Sequence, residues 1–272
     1  MRIEELRELV KDRIFMLLKF GEDMYMNYLH EKGEICMRPV RYYRELERKS
    51  NIRGQGDMYD SILPLGEGRF TFIPEDGGPI LQGTASDSYI GLYNDNFIYC
   101  MTAITSKNLY GGMLDKENGV LIDAIFKFTQ EEKKAIRAHF PNADSVVFFH
   151  NTPEFLRDFD NKMQQKRIGL SKNMVSYQHL KPLTIENIKR FHHNPMSFVF
   201  TKDLYFECEQ EFRVMLDKKA SNIQEKYIIQ IGDQQHYSHK VSIDEFFDTE
   251  LKGEHQTHSS ILVVTTKRPP ST

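Results

Sequence analysis

FTKDLYFECEQEFRVML, residues 200–216, is the stretch on which the reading of this chain turns. Glu207, Glu209 and Glu211 recur at every second position, and Arg213 follows in the same step. Leu204, Phe206, Cys208, Phe212, Val214 and Leu216 fall in the alternate places. Successive strand residues point to opposite faces, so this spacing predicts one strand. Its inner face is apolar, and its other face carries Tyr205, three carboxylates and an arginine. Neighbours on one face lie roughly 6.5–7 Å apart. Like charges at that distance repel weakly in water, whereas in a cleft at least one carboxyl is driven up. A solvated outer face is the common fate of such a pattern on an antiparallel strand. The acidic row becomes a site only if other chemistry folds against it.

The surrounding sequence sets bounds on that chemistry. A chain of 272 residues with 40% hydrophobic content can bury a substantial core. A formal charge of −3 provides no global basic field for nucleic acid, so such contacts must come from local patches. Three well-separated cysteines, Cys36, Cys100 and Cys208, sit in apolar runs and read as reduced core residues of a cytoplasmic protein. No run approaches the length of a membrane span, and MRIEELRELVKD is no signal peptide, so no membrane contact is expected. The pairs His236/His239 and His255/His258 lack the cysteines or carboxylates that would complete a zinc site, and no metal is expected.

Along the chain, apolar periodicity alternates between helical and strand spacing. An N-terminal helix is expected within 1–13, with Ile3, Leu6, Leu9 and Val10 on one stripe. IFMLLKF (14–20) reads as a strand, and 22–32 as a helix with Met24, Tyr28 and Leu29 in register and Gly33 as its C-cap. EICMR (34–38) is a strand, and 39–49 a helix opened by Pro39. A polar glycine-bearing loop, NIRGQGDMYD, spans 51–60. Strands are expected at 68–73, 96–105, 119–128, 145–150, 226–231 and 259–265, with loops between the first two. Helices are expected at 129–140, where Thr129 precedes Glu132 as in a capping box, and at 153–167. No break marks a linker, so 1–272 reads as a single α+β domain. Within it, 14–60 forms a nucleotide-binding unit and 198–231 the strands that carry catalysis.

Cations and aromatics gather at strand ends in 14–60. Lys19 closes the first strand and Arg38 the second, Tyr42 and Tyr43 open a helix, and Arg53, Asp57 and Tyr59 lie in the loop. Such groups suit a phosphate-bearing ligand with a stackable ring. Lys162, Lys166, Arg167 and Lys172 form a second basic cluster, able to track a phosphate backbone or simply to make a solvated helix face.

The order strand–helix–glycine–strand near the N-terminus, with EQEFRVML late in the chain, resembles the ADP-ribosyltransferase superfamily, and most closely its DarT-like branch that modifies nucleic acid. The resemblance implies an α+β fold with a split antiparallel β core flanked by helices, and NAD as substrate. It places Glu211 at the catalytic position, with Glu209 or Glu207 orienting or deprotonating the acceptor. Lys19 stands where the superfamily usually has Arg or His. Lys19, Arg38 or Arg53 would take the diphosphate, and Tyr42, Tyr43 or Tyr59 the nicotinamide. Thr102, in YCMTAITS, matches the hydroxyl-bearing strand of some members. RNA or DNA is the implied acceptor, with Lys166 and Arg167 beside it, and an antitoxin protein the implied partner. The elements KFG (19–21), GEICM, RYYREL, RGQGDMYD and KDLYFECEQEFR also resemble an uncharacterised bacterial group associated with phage defence.

Two other classes fit the same residues. A non-catalytic sensor or antitoxin-like partner would use the glutamate face to dock a basic surface. A Mg²⁺-dependent nuclease would use Glu207, Glu209 and Glu211 as a metal platform. The transferase reading requires the acidic row to fold against residues 19–59 in one cleft sized for a dinucleotide.

Overall fold

Most of the apolar runs assemble into one eight-stranded antiparallel sheet in the computed structural model, which also has separate two- and three-stranded sheets. It describes residues 2–50, 53–54, 56–72, 81–91, 93–180, 193–249 and 251–253, with the backbone alone over 63–72 and 81–91. The sheet path runs β13 (Tyr227–Gln230), β2 (Glu34–Pro39), β5 (Asn96–Ile104), β1 (Met16–Gly21), β8 (Ser145–Phe149) and β14 (Ser238–Ser242). β12 (Glu211–Lys219) pairs with β5 and with β9 (Leu170–Met174). With helices packed on both faces, the chain is an α+β protein.

β5 organises this sheet because three strands share its two edges. β12 follows one edge from Glu211 opposite Thr102 to Met215 opposite Ile98. The other edge is divided. β1 takes one end, from Met16 opposite Ile104 to Leu18 opposite Thr102, and β2 takes the other with Arg38 opposite Ile98. Past Leu18, β1 continues along β8 instead. The sheet therefore forks beside residues 99–101, and the Lys19 ammonium donates to the Cys100 carbonyl at 2.7 Å in the fork.

Alternation decides which face each strand residue enters. Leu17, Tyr99, Met101, Phe212 and Val214 pack on one side with Met26 and Leu29 of α2 (Asp23–Lys32) and Phe155, Phe159 and Met163 of α5 (Thr152–Gln165). Met16, Leu18, Phe20, Val146 and Phe148 pack on the other, with Ile136 of α4 (Gln130–His139) and Phe246 and Phe247 of α6 (Ile243–Asp248). Asn151 caps α5 by accepting the Glu154 N–H, which sets the i, i+4, i+8 stripe Phe155, Phe159, Met163 against the sheet. Gly33 closes α2 in the left-handed region, at φ 59°.

Several expectations are corrected here. α1 (Ile3–Leu9) is shorter than 1–13, and Leu9 faces solvent. In α2 the buried pair is Met26 and Leu29, while Met24 and Tyr28 are exposed; a ten-residue helix with apolar residues on both stripes leaves the choice to packing. Pro39 ends β2 rather than opening α3 (Val40–Ser50). The segment between 73 and 96 is not all loop: β4 (Leu81–Gly91) pairs antiparallel with β3 (Ile62–Phe72). Cys36 is exposed, opposite Ile228 on β13, and Cys100 and Cys208 are half-buried. The strand expected at 259–265 lies outside the described residues. No described helix is long and apolar enough to cross a membrane.

Phe155 is fully buried and stacks on Phe149 at 4.0 Å between ring centroids. Phe155→Ala is expected to destabilise the chain by about 3–5 kcal/mol, measured by urea unfolding, without changing the cleft described next.

Candidate active site

The strand expected over 204–216 is broken in two. Thr201–Asp203 forms β11, Leu204–Glu209 winds into a 3₁₀ helix, and β12 starts at Glu211. Asp203 Oδ1 accepts the Tyr205 N–H, and Gln210 at φ 43° turns the chain back into the sheet. A short acidic side chain that bonds the backbone two residues on competes with a strand ladder. The Asp203-Leu-Tyr start was the available sequence signal for this turn.

The break separates the three glutamates. Glu207 points outward to Lys107 Nζ at 2.7 Å and is not part of a shared acidic face. Glu209 and Glu211 turn inward and meet on one ammonium, with Lys202 Nζ 2.7 Å from Glu209 and 2.8 Å from Glu211. A buried chain of alternating charge extends from both ends. His139 Nδ1 donates to Glu209 Oε1 at 3.0 Å. Arg213 Nε donates to Glu211 Oε1 at 2.5 Å, and its two terminal nitrogens grip both oxygens of Asp60 at 2.7 and 3.0 Å. Arg213 is fully buried, and Lys202, Glu209, Glu211 and Asp60 are nearly so.

This chain forms one wall of a cleft of about 270 Å³. Thr102 and Cys100 of β5, Leu18 to Glu22 around the end of β1, Tyr43 of α3 and Phe140 to Ala143 complete it. Gly54, Gly56 and Asp57 also line it. Gly54 and Gly56 sit at φ 101° and 116°, where side chains are rarely tolerated. A Cβ on Gly54 would meet the His139 ring at 2.7 Å, and one on Gly56 the Tyr43 carbonyl at 2.2 Å. On the rim, Arg53 stacks over Tyr205, which stacks on His139.

Burial and neighbouring charge oppose each other along the chain. Desolvation would raise Glu211, but Arg213 and Lys202 outweigh it and hold the carboxyl below its usual range. Desolvation would lower Lys202, and Glu209 and Glu211 hold it well above its ordinary value instead. Burial is the largest influence on the groups outside the chain: it lowers Lys19 and raises Tyr43 and Cys100. Asp57 is pushed up to about 8, first by burial and then by Asp60.

The structure brings Lys19, Tyr43, Thr102, Glu209 and Glu211 together as expected of one cleft. It places the other candidates elsewhere. Arg38 donates to the Gln224 carbonyl and lies over the Tyr42 ring, so both belong to the surface beside β2, where the helix rotates Tyr42 away from Tyr43's side. Arg53 pairs with Asp203 on the rim, and the Tyr59 backbone N–H donates to Asp57 Oδ1 without Tyr59 lining the cleft. Lys166 and Arg167 are exposed at the end of α5, and Lys172 pairs with Asp160; none of them lines the cleft. Lys202, Asp60 and His139 went unread as site residues, although KD and DMYD were legible as charges next to the motifs. The cleft is also smaller than a dinucleotide requires, falling just below the ~300–1,000 Å³ typical of small-molecule pockets. Comparison with protein-family models, curated proteins and solved structures gives no match.

Lys202→Met leaves two buried carboxylates facing each other without their shared cation, and is expected to cost about 3–5 kcal/mol near neutral pH. Glu211 has a depressed folded value, so its stabilising contribution is full above its ordinary value of 4.5 and is lost as pH falls below that. The stability gap between wild type and Lys202→Met should therefore narrow as pH falls below about 4.5, measured by denaturant unfolding at each pH. A gap independent of pH would contradict the ion chain.

Proposed function

We propose that this cleft performs N-glycosyl transfer from NAD, as an ADP-ribosyltransferase acting on RNA or DNA. The observation that carries the proposal is the convergence of Glu211, held ionised on a rigid strand, with Thr102, Lys19 and Tyr43 in one enclosed cleft. The forked antiparallel sheet around β5 supports the same reading. A cleft of about 270 Å³ accommodates the nicotinamide and its ribose, and the remainder of the dinucleotide extends past the rim.

In this mechanism the bond between the ribose anomeric carbon and the nicotinamide nitrogen breaks. Its electron pair leaves with the nicotinamide, and positive charge develops on the sugar. Glu211 faces that charge as a carboxylate already fixed by Lys202 and Arg213, so little reorganisation accompanies the step. The acceptor's proton passes to His139, whose Nδ1 is committed to Glu209, so the other ring nitrogen is the receiving atom. Glu209 thus orients the base, and Glu207 has no place in the step. Lys19 remains the cleft cation nearest the leaving group's end of β1, and Arg53 lies on the rim where a phosphate would pass.

A non-catalytic role is favoured by one observation: both Glu211 oxygens are already engaged, by Arg213 and Lys202. An ion chain of this kind can serve the fold alone. The Mg²⁺ nuclease reading loses its platform, because the three glutamates do not form one, and no metal-holding group of three or more ligand residues occurs among the described residues.

Incubation with labelled NAD and separate pools of RNA, DNA and protein distinguishes the two. Wild type is expected to consume NAD and label nucleic acid, and Glu211→Gln to lose about 10²–10³-fold in turnover while still unfolding cooperatively. Equal turnover by the two proteins, or none by wild type, rejects the transferase.

A further inference from the structure

Asp57 has no role in the ion chain, yet it is 1% exposed and lines the cleft. Its Oδ1 accepts the Tyr59 N–H at 2.8 Å. Its Oδ2 is buried and has no hydrogen-bond partner among the described residues. The charged groups around it are committed elsewhere. Lys202 is held between Glu209 and Glu211, Glu47 of α3 accepts the Met58 N–H, and both Asp60 oxygens bind Arg213. A buried polar atom without a partner is uncommon and calls for a ligand or a function. Just before it in the chain, Gly54 and Gly56 pack so closely against His139 and the Tyr43 carbonyl that neither position has room for a Cβ.

We infer that Asp57 sorts ligands: it donates a hydrogen bond from a protonated Oδ2 to the carbonyl of a ring that bears an uncharged carboxamide, and rejects the corresponding carboxylate. This rests on the nicotinamide end of NAD occupying the cleft. Burial imposes the sign. Desolvation opposes a negative charge on Asp57, Asp60 and Glu47 add to that against the opposite pull of Lys202 and the Tyr59 N–H, and the carboxyl keeps its proton up to about pH 8. A neutral carboxyl donates to C=O, as an amide presents it. A ligand carboxylate would instead enter beside three carboxylates, Glu209, Glu211 and Asp60, that share only the two cations Lys202 and Arg213, and would add to that excess of negative charge.

The test titrates nicotinamide and nicotinate into wild type, Asp57→Asn and Asp57→Ala by ligand-observed NMR, with thermal unfolding of each variant as the check on folding. Near pH 7, wild type is expected to bind nicotinamide at least about ten-fold more tightly than nicotinate, and Asp57→Ala to weaken nicotinamide by about ten-fold. Asp57→Asn keeps a donor that does not titrate. Wild-type affinity should fall as pH rises through about 8, whereas that of Asp57→Asn should stay level. Equal affinity for the two ligands, no nicotinamide binding by folded wild type, or a pH profile shared by wild type and Asp57→Asn would each overturn the inference. NAD turnover, assayed in parallel, separates the two ideas. Lost turnover with Asp57-dependent nicotinamide binding defeats only the transfer step, and turnover with Asp57-independent binding defeats only the sorting role.

Discussion

The buried chain His139–Glu209–Lys202–Glu211–Arg213–Asp60 is the constraint on which the rest of the molecule is arranged. Each of these groups carries a desolvation cost of several kcal/mol when taken from water. The cost is tolerable only while every charge meets its partner at hydrogen-bond distance. That requirement ties together three regions far apart in sequence: the end of α4, the run from β11 through the 3₁₀ turn to the start of β12, and the segment before β3. Moving any one of them by an ångström would leave a charge buried and unmatched. The cleft is the space bounded by these fixed points.

β5 supplies the floor on which the chain is held. Its two edges serve three strands, and the fork between β1 and β2 opens the sheet beside Cys100. An opened sheet exposes backbone groups that must be satisfied, and the Lys19 ammonium on the Cys100 carbonyl does so. Lys19 therefore has a structural duty besides any contact with a ligand. Burial lowers its pKa from that of an ordinary lysine. The ionised Glu211 and Asp57, whose Oδ2 has no partner among the described residues, both line this small volume and have opposite protonation preferences. Pairs of carboxyls set apart in this way are what acid–base chemistry at one site requires.

Much of the fold was legible because apolar spacing is a local property. The Thr129 box, the Gly33 cap, the strands at 16–21, 34–39, 96–104 and 145–149, and the stripe of α5 all follow from neighbours a few residues apart. Misreadings came where two local patterns competed. Alternating glutamates at 207, 209 and 211 mimic a strand, but the Asp203 cap and Gln210 in the left-handed region break it, and the buried Lys202 is what makes that turn worth its strain. Tyr42 and Tyr43 were equal on paper; the rotation of α3 put one in the cleft and the other on Arg38.

Residue order alone was enough to specify the α+β character, most helix and strand cores, and the presence of a late acidic and an early cationic segment. Which carboxylates enter the cleft, which cation they share and which carboxyl oxygen is left without a partner among the described residues were settled only on folding. Those outcomes depend on contacts between residues up to 153 positions apart, as for Arg213 and Asp60. Charge–charge distances across such separations are fixed by packing, and no periodicity in a linear sequence encodes them.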